Sequence, residues 1–202
     1  MDFTTIHMDK LSKREAYRWL SNTVVPRPIA YVTTQGERGV LNGAPFSFFN
    51  IVSTDPPLIM LSIGLKEGQP KDSTRNILKR KNFVVHMVDE KMIERVNESS
   101  KSLKPDESEV EMVGFTPINS DVIDTKGILE SPLRFECKLY QTVTLNSKEA
   151  PLIIGEVIRM HVANDVVQPD HTIDLSAYKP IARLGGSLYV KQGEIFSLKR
   201  PK

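Results

Sequence analysis

The sequence predicts a mainly β fold, an antiparallel barrel with peripheral helices, over a single domain spanning residues 1–202. Three apolar, β-branched runs between Pro26 and Gly64 are separated by Gly and Pro punctuation, and further strand-like runs follow at 83–88, 134–139 and 153–162 with few helices between them. No G-x-G-x-x-G spacing follows a predicted strand, since neither the Arg38-Gly39 turn nor the Gly185-Gly186 pair has it, and this argues against a doubly wound dinucleotide fold.

Taken in order, Ser12-Lys13-Arg14-Glu15 fits a capping box, and Ala16, Trp19 and Leu20 continue as an apolar stripe, so a short helix precedes the first strand. Trp19 reads as a packing anchor, in the core or between subunits. The run from Leu41 to Asn50 is odd for a strand, because Asn42, Gly43 and Pro45 are poor strand formers and Pro45 removes a backbone donor. It is expected at an edge or bulge, with its amides and side-chain oxygens free. The loop Lys66–Pro70 leads to a helix capped by Asp72 or Ser73, with Ile77 and Leu78 inward and the cations Lys79, Arg80 and Lys81 solvated at its end.

Phe83–Val88 reads as a buried strand, and Asp89 as the cap of a helix holding Met92, Ile93 and Val96. The stretch from Ser99 to Val113, with Glu107, Glu109 and Glu111 alternating, is expected to be an exposed excursion, a surface loop or a lid. In the strand from Arg134, Phe135, Cys137 and Leu139 point one way and Arg134, Glu136 and Lys138 the other, which places Cys137 in a core. The last long strand, Ile153–Val162, puts Gly155, Val157, Arg159 and His161 on one face, with Glu156 marking curvature or an edge.

Composition narrows the function classes. Lys and Arg (27) nearly balance Asp and Glu (25), so no global charge attracts nucleic acid or an anionic membrane, and anion binding must be local. There is no run of about 18 apolar residues and no basic-then-apolar start, from which a cytoplasmic protein without membrane or nucleic-acid partners is expected. Cys137 is the only cysteine, which excludes an internal disulfide and a cysteine-rich zinc site. His7, His86, His161 and His171 show no metal-binding helical spacing, so no metal is expected; His161 is kept as a nicotinamide or substrate contact to test. No nucleophile elbow or Ser-His-Asp pattern is present.

Five segments stand in a telling order: Pro26-Arg27-Pro28-Ile29, Asn42-Gly43-Ala44-Pro45-Phe46-Ser47-Phe48, Asp55-Pro56-Pro57, Lys71-Asp72-Ser73-Thr74-Arg75-Asn76-Ile77, and Ile181–Tyr189 containing Arg183-Leu184-Gly185-Gly186. In that ordered set the chain resembles the flavin reductase-like family of FMN-binding split barrels, in its flavoredoxin-like branch. The resemblance implies a six-stranded split β-barrel of Greek-key connection, a homodimer, FMN as cofactor, and NADH or NADPH as transient electron donor.

The residues themselves offer matching chemistry. Lys71, Ser73, Thr74 and a helix N-terminus supply the cation, hydroxyls and free amides that a phosphate needs, with Asp72 expected to cap the helix or orient Lys71. Asn42, Ala44 and Ser47 lie in the run whose amides and polar side chains suit the edge of an isoalloxazine ring. Phe48, like Phe46, can wall that ring, Ser62 marks where backbone can approach it, and Arg183 can reach the flavin, the partner subunit or simply a turn. No residue is assigned as catalytic, because the flavin carries the hydride chemistry. The leading reading is an NAD(P)H-dependent flavin reductase that passes electrons to free flavin, an oxygenase partner or a small redox protein. The alternatives are an FMN-bound electron carrier, a non-catalytic barrel and a pyridoxamine phosphate oxidase-like enzyme.

Overall fold

A computed structural model describes residues 1–104, 107–145 and 151–201. Seven strands form one antiparallel sheet: β1 (Ala30–Gln35), β2 (Leu41–Phe46), β3 (Phe49–Thr54), β4 (Pro57–Ser62), β5 (Asn82–Met87), β6 (Leu133–Val143) and β7 (Leu152–Val162). Their order across the sheet is β2-β1-β5-β6-β7-β4-β3. The run from Leu41 to Asn50 is therefore two strands, β2 and β3, which occupy opposite ends of the sheet although only Ser47 and Phe48 part them. A sheet whose two edges are joined by two residues has to curl on itself, and that link closes the barrel. The main sheet counts seven strands where the resemblance implies six.

Inside the barrel lie Ala30, Val32, Phe49, Leu61, Phe83, Val85, Cys137 and Ile153, with Ile77 entering from the helix α2 (Asp72–Arg80). Gly155 is required here: a Cβ on it would come within 2.4 Å of Cζ of Phe83. Cys137 packs in this core, and burial pushes its thiol pKa far up, which disfavours the thiolate. The outer face of β1 and β2 carries a second core, in which Tyr31 and Leu41 meet Met92 and Val96, at and within the helix α3 (Ile93–Glu98), together with Val110, Val113, Phe115 and Ile128. Both faces of β1 are thus covered, which explains its nearly unbroken burial.

Local signals hold in several places. Ser12 and Glu15 form the capping box of the helix α1 (Lys13–Thr23), and Asp89 accepts from the backbone N–H groups of Lys91 and Met92 just before α3. Other expectations are corrected. Trp19 and Leu20 are exposed on α1, outside both cores, which removes the core half of the Trp19 expectation and leaves packing between subunits. Lys71 occupies the N-cap of α2 and Asp72 its first turn, where Asp72 pairs with Arg75 in place of capping. The end of α2 is solvated as expected at Lys79 and Lys81, which are exposed, but two of its cations also find partners: Lys79 pairs at the surface with Glu37, and half-buried Arg80 donates to the carbonyl of Gly36.

The excursion after Ser99 is not an exposed loop in its second half. Pro105 and Asp106 lie outside the described residues, but beyond them the short helix α4 (Glu109–Met112) folds back onto β2. Ser108, Glu109, Val110 and Val113 are buried there, with Val110 joining the outer core and the Ser108 hydroxyl donating to the carbonyl of Leu41. Glu136 is likewise buried where alternation predicts exposure. The chain at Asp121 and Val122 covers it and donates two backbone N–H groups to its carboxylate.

Candidate functional site

β2 is an edge strand, as its Asn, Gly and Pro content predicts, but its polar groups are not free. The N–H of Gly43 and Nδ2 of Asn42 both donate to Oε2 of Glu109, at 3.2 and 2.7 Å. Oδ1 of Asn42 accepts from the hydroxyls of Ser73 at 3.0 Å and Thr34 at 3.1 Å. The Asn42 amide therefore ties β1, β2, α2 and α4 together at one buried point. Gly43 makes this possible, since a Cβ there would lie 2.1 Å from Oη of Tyr31 and 2.8 Å from the side chain of Val110. Burial raises the pKa of Glu109, and the amide donors of Gly43 and Asn42 offset only part of that rise.

A cavity of about 390 Å³ opens beside this network. Pro45, Phe46 and Leu103 give it apolar wall, while Asn42, Lys71, Ser73, Ser99 and Glu109 give it polar wall. The ammonium of Lys71 lies 5.7 Å from the ring centre of Phe46, and no carboxylate pairs with it among the described residues. The N-terminus of α2, whose first amides have no helical partner, lies at the same wall. A smaller cavity of about 220 Å³ adjoins it through Pro45, Phe46 and Ser100, and is lined further by Tyr17, Ser47, Arg183 and Tyr189. Arg183 stacks at 4.3 Å on Tyr189 and donates to the carbonyl of Gly186.

Of the residues read from the sequence, Asn42, Ala44, Lys71, Asp72 and Ser73 line the larger cavity, and Ser47 and Arg183 the smaller. The other three line neither. Phe48 packs at the surface, its ring 6.1 Å from that of Tyr17, and Ser62 donates its backbone N–H to the carbonyl of Phe48. Thr74 is buried within α2. His161 stands apart from these cavities, bonded at 2.6 Å to Glu136; with Asp121 these groups lie within 4.8 Å of one another. That cluster joins residues distant in sequence, so no local spacing could disclose it.

Sequence reasoning misses two residues. Glu109 reads as part of a solvated acidic run, although Val110, Val113 and Phe115 beside it carry an apolar signal. Arg27, part of the Pro26–Ile29 segment, holds structure together: its guanidinium donates to the carbonyls of Ser21, Val24 and Leu184, the first at 2.6 Å and the last at 2.9 Å. It thereby fixes the end of α1 against the Arg183–Gly186 turn.

The cavity's chemistry suits a flavin mononucleotide: a cation and helix N-terminus for phosphate, an apolar wall for a flat ring, and polar groups between. Residues 21–182 match the flavin reductase like domain. The chain belongs to the flavin reductase-like family. Among solved structures, nitrilotriacetate monooxygenase component B of Bacillus cereus is 40% identical, with a TM-score of 0.94 over 98% of this chain and 100% of that one. The 2-nitrobenzoate 2-nitroreductase of Pseudomonas fluorescens is 33% identical, with a TM-score of 0.89 over 98% of this chain and 96% of that one. A split-barrel protein of Shewanella frigidimarina, 24% identical with a TM-score of 0.85 over the whole of both chains, shows the same fold. This flavin reductase-like chain is therefore a split barrel, and no helix among its described residues is long and apolar enough to cross a membrane.

Proposed function

We propose that the chain is an FMN-binding oxidoreductase that takes hydride from NADH or NADPH and passes electrons to a separate acceptor. The observation that carries this reading is the single cavity where Lys71, Ser73 and the α2 N-terminus meet the apolar wall of Pro45 and Phe46. Bound flavin would supply the hydride chemistry, accepting two electrons and releasing them to the acceptor. The chain's own residues hold and shield it. Lys71 and the first amides of α2 balance the phosphate charge, Ser73 and Asn42 fix the polar wall, and Phe46 excludes water from one side. Arg183, at the smaller cavity, gives a cation that can meet an incoming anionic donor or acceptor.

The likeness to a monooxygenase component B supports an oxygenase partner as the acceptor, with free flavin as the simpler case. A second reading, direct reduction of an aromatic nitro compound, is supported by the likeness to a 2-nitrobenzoate 2-nitroreductase. Turnover with NADH and NADPH against free FMN, oxygen and 2-nitrobenzoate separates these. Faster consumption with free FMN than with the nitro compound is expected. Consumption only with the nitro compound would favour the second reading, and neither, despite retained FMN, would favour an electron carrier.

A homodimer completes the proposal. The apolar side chains Tyr17, Leu20 and Val24 at α1, and Ile51 and Val52 on the edge strand β3, are exposed in the single chain and form the surface a second copy would cover.

A further inference from the structure

We propose that Glu109 is the residue that recognises the hydroxyl-bearing ribityl chain of the flavin. This rests on the phosphate assignment made above. Glu109 is 9% exposed and lines the larger cavity, and the two donors that reach it from other residues, Asn42 and Gly43, both end on Oε2. Oε1 is then the acceptor that a ligand meets. A carboxylate oxygen in a cavity wall that no other residue engages calls for a hydroxyl or N–H donor and repels a phosphate.

Position decides which part of the flavin that donor is. Ser73, at the phosphate end, bonds to Asn42 at 3.0 Å, and Asn42 bonds to Glu109 at 2.7 Å. Two successive hydrogen bonds across one amide place the carboxylate roughly 6 Å from the Ser73 hydroxyl. On FMN, the groups that lie so close to the phosphate are the ribityl hydroxyls, whereas the N–H of the ring system lies at the far end of the molecule. A carboxylate against neighbouring hydroxyls is also the pairing by which nucleotide sites hold a ribose. The segment carrying Glu109 thus contributes to the ligand wall as well as covering β2.

Binding of three flavins, followed by quenching of their fluorescence, tests this without reference to turnover. FMN has ribityl and phosphate, riboflavin has ribityl alone, and lumiflavin has neither. In Glu109→Gln the side-chain carbonyl can still accept from Asn42 and Gly43, while the group replacing Oε1 can only donate. FMN and riboflavin are expected to weaken by the same factor, roughly 10- to 100-fold, with lumiflavin unchanged. Glu109→Asp, which keeps the charge but withdraws it by one methylene, must separate riboflavin from lumiflavin in the same sense. Equal loss for lumiflavin, or undiminished riboflavin binding, would overturn the assignment. Wild-type protein that binds none of the three would overturn the flavin reading and this inference with it.

Discussion

His86 is held neutral by burial, and its two hydrogen bonds fix the tautomer. The N–H of Ile128 donates to Nε2 at 2.9 Å, so the proton sits on Nδ1, which donates to the carbonyl of Tyr31 at 3.0 Å. Burial pushes its pKa down to about 3, against the upward pull of the Tyr31 bond. A folded-state pKa below the unfolded one means that the unfolded chain takes up the proton first. Stability is therefore full above about pH 6.5 and falls by about 1.4 kcal/mol for each pH unit below it, down to the folded pKa. Urea unfolding at pH 7 and pH 5 should show a loss of about 2 kcal/mol that His86→Gln removes, and an unchanged slope in that variant would refute the assignment. Lys71 makes a second residue-level case. Lys71→Ala should weaken FMN about tenfold and leave riboflavin untouched, because the lost charge addresses phosphate alone; equal weakening of both would remove the phosphate from this end of the cavity. These residues are legible to different degrees. Lys71 and Ser73 announce themselves beside a helix start, whereas Glu109 becomes a site residue only through contacts with Asn42 and Gly43, more than sixty positions away.

Elements are joined by a few specific contacts. Arg27 is buried, and its guanidinium bridges the last turn of α1 and the loop at Leu184. Arg27→Ala should speed amide exchange in residues 13–24 and 184–188 while the barrel strands stay protected, as expected when several hydrogen bonds to one charged group are lost together. Uniform acceleration throughout the chain would instead make Arg27 part of the global core. Gly155 fixes the approach of β7 to Phe83 on β5, and Gly155→Ala should destabilise the fold by roughly 1–3 kcal/mol in chemical denaturation, because the ring has to move to admit the methyl. Strand identities are readable from alternation and turn residues. The division of Leu41–Asn50 into two strands at opposite sheet edges is not, because nothing in local propensity says which neighbour a strand will pair with.

At the scale of the whole molecule, a split barrel with an apolar helix face and an exposed edge strand is a half-finished surface. Wild-type protein should sediment as a dimer, and Leu20→Glu should shift it towards monomer by placing a charge in the covered face; a monomeric wild type would contradict the proposed assembly. The barrel and its family are legible because five short segments keep their order along the chain. The depth of the site is not, because it depends on how the 107–113 segment folds onto β2. The central claim is that this cavity holds FMN and lets a nicotinamide reduce it. The direct measurement is the visible spectrum of FMN-loaded protein, freed of excess flavin, after anaerobic addition of NADH or NADPH. Retained yellow absorbance that bleaches within seconds is the predicted result; protein that keeps no flavin, or keeps it and bleaches only with dithionite, would contradict it.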